Sequence, residues 1–161
     1  MAPASSFEER QLLLIVEAAQ RVGLEFVVIG NASAAMQGAP IMTQDIDLFV
    51  RDLKRNREKI RALATALGAS CNQPFLPGSE MFRLETNELV VDCLFRLSSN
   101  QRFESVRSRA IALPIGALVA TLEDVILQKR AAGRAKDKAT LPILEQTLKV
   151  RELLEKAPKR K

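Results

Sequence analysis

Residues 27–50 read VVIGNASAAMQGAPIMTQDIDLFV, and the alternation inside this stretch decides how the rest of the chain is read. Leu24–Ile29 (LEFVVI) is a short apolar strand by composition, stopped at Gly30, and Asn31–Gln37 is a run of small residues that predicts a short helix. Gly38–Met42 (GAPIM) is a turn, and Asp45–Val50 (DIDLFV) reads as the next strand. Aspartate is a poor strand residue, yet this strand opens with two. Strand side chains alternate between faces, so Asp45 and Asp47 point one way while Ile46 and Leu48 point the other, into a core.

A third acid lies in a similar setting: Asp92 sits inside LVVDCLF, with Val91 and Cys93 on the opposite face. If the two strands are neighbours with these faces aligned, three carboxylates converge. Two like charges about 4 Å apart repel by roughly 4 kcal/mol at an effective dielectric near 20. A hard divalent cation such as Mg²⁺, which prefers oxygen ligands, relieves that repulsion. The competing reading of a D-x-D alone is a solvated strand end or a helix cap. Upstream, Gly30-Asn31-Ala32-Ser33 joins a strand to a helix, a geometry that turns backbone N–H groups toward an anion and suits a phosphate; it also serves as an ordinary capped turn. Phosphate cradle and paired acids are fifteen residues apart, Gly30 to Asp45.

Around this centre the pattern predicts helices over about Phe7–Val22, with a Ser6/Glu9 capping box, and over Arg55–Leu67, stopped by Gly68. Met81–Glu85 and Leu89–Phe95 read as a hairpin turning through Thr86, Asn87 and Glu88. Ala110–Pro114 and Ala117–Val119 are weaker strand candidates. Thr121 with Asp124 starts a helix to Ala132. A last helix covers Lys136–Lys156, with Pro142 expected to kink or restart it. Gln73–Gly78 and Ser98–Arg102 are loops. The order predicts an α/β (α+β) fold, a mixed β-sheet flanked by helices with further helices at the C-terminus. One domain is expected over residues 1–156, with a sheet core at about 24–119, C-terminal helices at about 121–156, and a basic, disordered tail at 157–161.

Composition narrows the chemistry. The 161 residues contain no His, Tyr or Trp. Imidazole bases, Ser-His-Asp and Cys-His nucleophile systems and Cys/His zinc sites are therefore excluded, and seven Phe are poor material for a base-stacking sheet. Two cysteines, Cys71 and Cys93, are read as reduced thiols, with Cys93 in the core. Net charge is +5, but Lys156, Lys159, Arg160 and Lys161 against Glu155 supply three of those charges, so the body is nearly neutral. No segment approaches the roughly 20 apolar residues of a membrane span, and Met1–Ser6 lacks the basic-then-apolar order of a signal peptide. A cytoplasmic, soluble protein is expected.

The quoted stretch resembles the signature of minimal nucleotidyltransferases of the DNA polymerase β superfamily: strand, Gly-Gly or Gly-Ser, small helix, then Gly-x-Pro-x-x-Thr-x-Asp-x-Asp. VVDCLF resembles the strand that carries their third carboxylate. LEDVILQKRAAGRAKDKATLPIL resembles the C-terminal part of AbiEii-like and related nucleotidyltransferases, with its Lys and downstream Arg-x-Lys-Asp. The likeness covers about residues 24–145 and departs at Asn31, which stands where the pattern has its second Gly or Ser.

The resemblance implies Mg²⁺-dependent transfer of a nucleoside monophosphate from an NTP to a hydroxyl. Asp45, Asp47 and Asp92 would hold two Mg²⁺ ions, or Mn²⁺, with Asp92 also taking the proton of the attacking hydroxyl. Gly30, Asn31 and Ser33 would cradle the triphosphate, and Lys129 and Arg134 would contact phosphate. Acceptors in such a family include a tRNA end, a partner protein's side chain as in toxin–antitoxin or phage-defence pairs, and small molecules such as aminoglycosides. The competing reading is a non-catalytic module of the same fold, an antitoxin or adaptor. Asp137 is read either as an orienting partner of Lys129 or Arg134 or as a helix-start residue. Basic clusters at 51–61 and, Lys129 and Arg134 apart, at 129–138 are read as solvated helix faces, unless both flank the carboxylates, in which case a tRNA-like acceptor fits.

Overall fold

The computed structural model describes residues 7–73 and 81–159. Ser6 of the expected capping box, the prolines of the 73–78 loop and the final two basic residues lie outside the described residues. A seven-stranded mixed sheet runs in the order β3-β4-β5-β2-β1-β7-β6. Its strands are β1 (Val27–Ile29), β2 (Asp45–Phe49), β3 (Ser70–Asn72), β4 (Met81–Glu85), β5 (Val90–Leu94), β6 (Ile111–Ala112) and β7 (Leu118–Val119). The helices are α1 (Phe7–Val22), α2 (Gly30–Met36), α3 (Lys54–Leu67), α4 (Phe103–Arg109), α5 (Leu122–Ala132) and α6 (Ala135–Lys156).

The alternation read from DIDLFV holds in three dimensions. Ile46 and Leu48, with Val28, Val91, Cys93, Phe82 and Leu84, form one apolar face, which packs on Leu12, Ile15, Val16 and Ala19 of α1 and on Ile60, Leu63 and Ala64 of α3. Val27, Ile29 and Phe49 belong to the other face, covered by Phe103 and Val106 of α4, Leu122, Val125 and Ile126 of α5, and Leu144 of α6. Asp45, Asp47 and Asp92 share that second face.

Several boundaries differ from expectation. Leu24 and Phe26 are buried but stand before the ladder of β1, because apolarity reports burial and not pairing. The edge strand β3 (SCN) is polar and short, so no apolar pattern marks it. Helix α4 has only two buried residues, Phe103 and Val106, too few to establish a period. Helix α6 continues through Pro142 without a break. Lys138 and Pro142 both lie on its exposed side, so the carbonyl deprived of an N–H partner faces water. Residues 157–159 follow α6 without regular structure.

Candidate active site

Strands β2 and β5 pair in parallel, with Asp47 opposite Asp92 and Asp45 opposite Val90. Neighbouring strands lie about 4.8 Å apart, so the Asp47 and Asp92 side chains leave the same face side by side. Asp45 is two residues earlier on that face and is exposed; Asp92 is buried. Burial first, then the charges of Asp92 and Asp45, push the Asp47 carboxyl up to about 6, against the opposing pull of Lys129 and Lys136. The convergence expected from the sequence is therefore present, with two lysines from a distant segment facing it.

Gly30 explains how Asp47 is accommodated. Strand β1 pairs antiparallel with β2, placing Ile29 opposite Asp47, and Gly30 turns away at φ 66°. A Cβ at residue 30 would stand 2.8 Å from Asp47 Oδ2, so the carboxylate occupies the space a side chain would need. Asn31 follows, half-buried, and its Oδ1 is buried with no hydrogen-bond partner among the described residues. Ser33 is a correction. Its side chain is fully buried and its hydroxyl donates to the Ala120 carbonyl at 2.5 Å, joining α2 to the β7–α5 connection. That hydroxyl is a strut within the fold and does not face a phosphate.

Lys129, near the end of α5, is buried at 8% exposure. Burial holds its ammonium below the usual lysine range, against the opposing pull of Asp137. Asp137 has no exposed surface. It accepts from Lys129 Nζ at 3.5 Å, from Arg134 Nε at 2.7 Å and from the Arg134 backbone N–H at 3.2 Å. Burial alone would raise its pKa; the Arg134 hydrogen bond and the charges of Arg134 and Lys129 outweigh that and hold it below the ordinary aspartate value. Asp137 is thus both a helix-start residue and the anchor of Lys129 and Arg134. Arg134 keeps a largely exposed side chain.

Sequence reasoning missed Arg83. It stands on β4 directly opposite Asp92 and grips both of its oxygens, Nε to Oδ1 and Nη2 to Oδ2, each at 2.8 Å. A cavity of about 360 Å³ is lined by Gly30, Asp45, Asp47, Arg83, Asp92 and Lys129, with Arg134, Lys136 and Asp137 at its border. The basic run around α3 is elsewhere. Arg57 lies over Phe95 and pairs with Asp52, Arg61 lies over Phe82, and Lys59 donates to the Gly23 carbonyl. Arg51 lies over Phe103 and pairs with Glu25 and Glu104. No residue of the 51–61 run lines the cavity, so the two basic clusters do not jointly flank the carboxylates.

Asp45 and Asp47 fit a hard divalent cation: both are oxygen donors on one face, and the charges of Asp92 and Asp45 add to burial in raising the Asp47 pKa. Asp92 fits less readily, since Arg83 takes both its oxygens. Among the described residues no three His, Cys, Asp or Glu side chains stand as a ready-made metal cluster.

No family model matches the sequence, and no curated protein matches it either. Solved structures do. The nucleotidyltransferase ANT(2″)-Ia, crystallised in complex with adenylyl-2″-tobramycin, superposes with a TM-score of 0.61 at 14% identity, over 89% of this chain and 90% of that one. Its solution structure, described as an antibiotic-resistance factor, gives 0.61 at 15% identity over 88% and 86%. A Thermotoga maritima protein classed as a nucleotidyltransferase gives 0.53 at 19% identity, over 92% of each chain. The fold is that of a nucleotidyltransferase. In this nucleotidyltransferase fold, the β1–α2 turn, strands β2 and β5 and the α5–α6 join all border one cavity. Among the described residues no helix is long and apolar enough to cross a membrane.

Proposed function

We propose that this protein transfers a nucleoside monophosphate from an NTP to a hydroxyl acceptor. The observation that carries the reading is the register of Asp47 against Asp92, with Asp45 on the same face and Gly30 and Lys129 bordering the same cavity. In the reaction the acceptor oxygen bonds to the α-phosphorus, the bond to the β-phosphate oxygen breaks, and pyrophosphate leaves.

Asp45 and Asp47 would hold Mg²⁺ or Mn²⁺, with Asp92 as the third ligand of a two-ion site. Bound there, such ions acidify the attacking hydroxyl and stabilise charge on the leaving group. Asp92 is the carboxylate placed to take the hydroxyl proton, a role that requires Arg83 to release at least one of its two oxygens. The backbone at Gly30 and Asn31 approaches the triphosphate, and Lys129 and Arg134 supply positive charge toward it, Lys129 held in direction by Asp137. No imidazole is needed, because phosphoryl transfer depends mainly on positioning and charge stabilisation.

The tobramycin adduct bound by the structural neighbour makes a polyhydroxylated amine the first small-molecule acceptor to test here. A tRNA end and a protein side chain, including a partner in a toxin–antitoxin or phage-defence pair, are the macromolecular alternatives. Incubation with each α-³²P-labelled NTP, Mg²⁺ and either aminoglycosides or a cell lysate tests the reading. Label should move to a small molecule or a macromolecule, and Asp45→Asn and Asp47→Asn should abolish the transfer. Full transfer by these variants would overturn the mechanism.

A further inference from the structure

Across the sheet, one row of side chains reads Arg83, Asp92, Asp47, from β4 through β5 to β2. The first two are already joined by two 2.8 Å hydrogen bonds in the bidentate geometry that makes arginine–carboxylate pairs strong. We infer that Arg83 is a resident counter-cation that withholds Asp92 from a divalent ion and yields it only when the guanidinium swings away. The inference rests on the nucleotidyl-transfer reading for its purpose, but its geometry stands independently.

Three features support it. The pair is asymmetric: the Asp92 side chain is 9% exposed and fixed in the sheet, whereas Arg83 is 40% exposed and has room to leave. A cation shared by Asp47 and Asp92 would sit beside a guanidinium of like sign, so the two positive groups compete for the same oxygens. Arg83 lines the same cavity as Lys129 and Arg134, so an entering polyphosphate offers it a replacement partner within reach. Nucleotide binding would then release Asp92. By linkage, nucleotide and the cation at Asp92 must favour each other equally. Arg83 is a positioning residue here, since it acts through the carboxylate.

Titration of the protein with Mn²⁺ alone, with free ion read by electron paramagnetic resonance, tests this without any turnover. Arg83→Gln should bind Mn²⁺ about tenfold more tightly than the unmodified protein. Arg83→Lys, which keeps the charge but cannot grip both oxygens, should shift affinity the same way by less, and decides the matter if the glutamine variant does not fold. Adding Asp92→Asn to Arg83→Gln should erase the gain. Unchanged or weaker Mn²⁺ binding on loss of Arg83 overturns the inference, as does a gain that survives Asp92→Asn. Label transfer to an acceptor without any gain sinks the role of Arg83 alone. A gain that depends on Asp92, in a protein that labels no acceptor from any NTP, sinks the transfer reading alone.

Discussion

Gly30 is where backbone conformation and chemistry constrain each other most tightly. Its φ of 66° lies in the left-handed region, which costs a residue with a Cβ about 1–2 kcal/mol. The nearest atom to an added methyl group is the far end of the Asp47 side chain, which can swing aside. Gly30→Ala should therefore fold, with a loss of about 1–2 kcal/mol in urea denaturation, yet lose nucleotidyl transfer because Asp47 is displaced. Asp47 gives a second, pH-dependent test. Its carboxyl stands at about 6 in the folded chain against an ordinary 3.8, chiefly through burial. Below pH 4 the group is protonated in folded and unfolded chains alike and contributes nothing. Between pH 4 and 6 the unfolded chain ionises first, so stability falls, and above pH 6 the penalty is constant at up to about 3 kcal/mol. In metal-free buffer Asp47→Asn should match the parent near pH 4 and exceed it by up to about 3 kcal/mol at pH 7.5. A stability difference independent of pH would contradict this account.

At the scale of elements, the α5–α6 join shows how one buried acid serves two helices. Asp137 caps α6 and neutralises Lys129 at the end of α5, while Lys129 faces Asp47 across the cavity. Asp137→Asn leaves the buried ammonium without its carboxylate and should cost about 3–5 kcal/mol. Lys129→Met should cost less in thermal unfolding, because Asp137 keeps its bonds to Arg134. Adding Lys129→Met to Asp137→Asn should recover part of the loss. The elements around the site also show what the sequence discloses. The faces of β2 follow from alternation alone, so the convergence of Asp45 and Asp47 was legible, and Asp92 joined them once an apolar strand with a single acid was recognised. Arg83 was not legible, for a reason of register. A three-residue turn at Thr86–Glu88 would place Arg83 opposite Val91. The connection actually spans Thr86–Leu89, where the Thr86 hydroxyl accepts the backbone N–H groups of Glu88 and Leu89, and Arg83 falls opposite Asp92. One residue of slip exchanges an apolar neighbour for an ion pair. Ser33 was misread for a related reason, since its orientation is set by Ala120, 87 residues away, and no local pattern encodes that contact. Strand β3 and helix α4 lacked enough apolar residues to announce themselves.

For the whole molecule, the cavity is assembled from four separated stretches: the β1–α2 turn, β2, the β4–β5 hairpin and the α5–α6 join. None of these holds the site alone, and the cavity exists only when the sheet and its C-terminal helices are docked together. A ligand that bridges them must therefore stabilise the entire fold, since it binds the native state and has no counterpart site in the unfolded chain. Mass action sets the size of the effect: at a free concentration of 100 times Kd the gain is about 2.7 kcal/mol. For a chain of this length each kcal/mol raises the melting temperature by about 2–4 °C. An enzyme of the proposed kind should gain about 5–10 °C from Mg²⁺ with a saturating non-hydrolysable NTP. Mg²⁺ alone should give less, because Arg83 still occupies Asp92, and Asp45→Asn should lose most of the combined gain. A binding module that retains the fold without the chemistry should melt at one temperature with or without these ligands. Differential scanning fluorimetry across the NTPs therefore separates the two readings before any acceptor is known, and the nucleotide giving the largest shift identifies the donor to carry into the transfer assay.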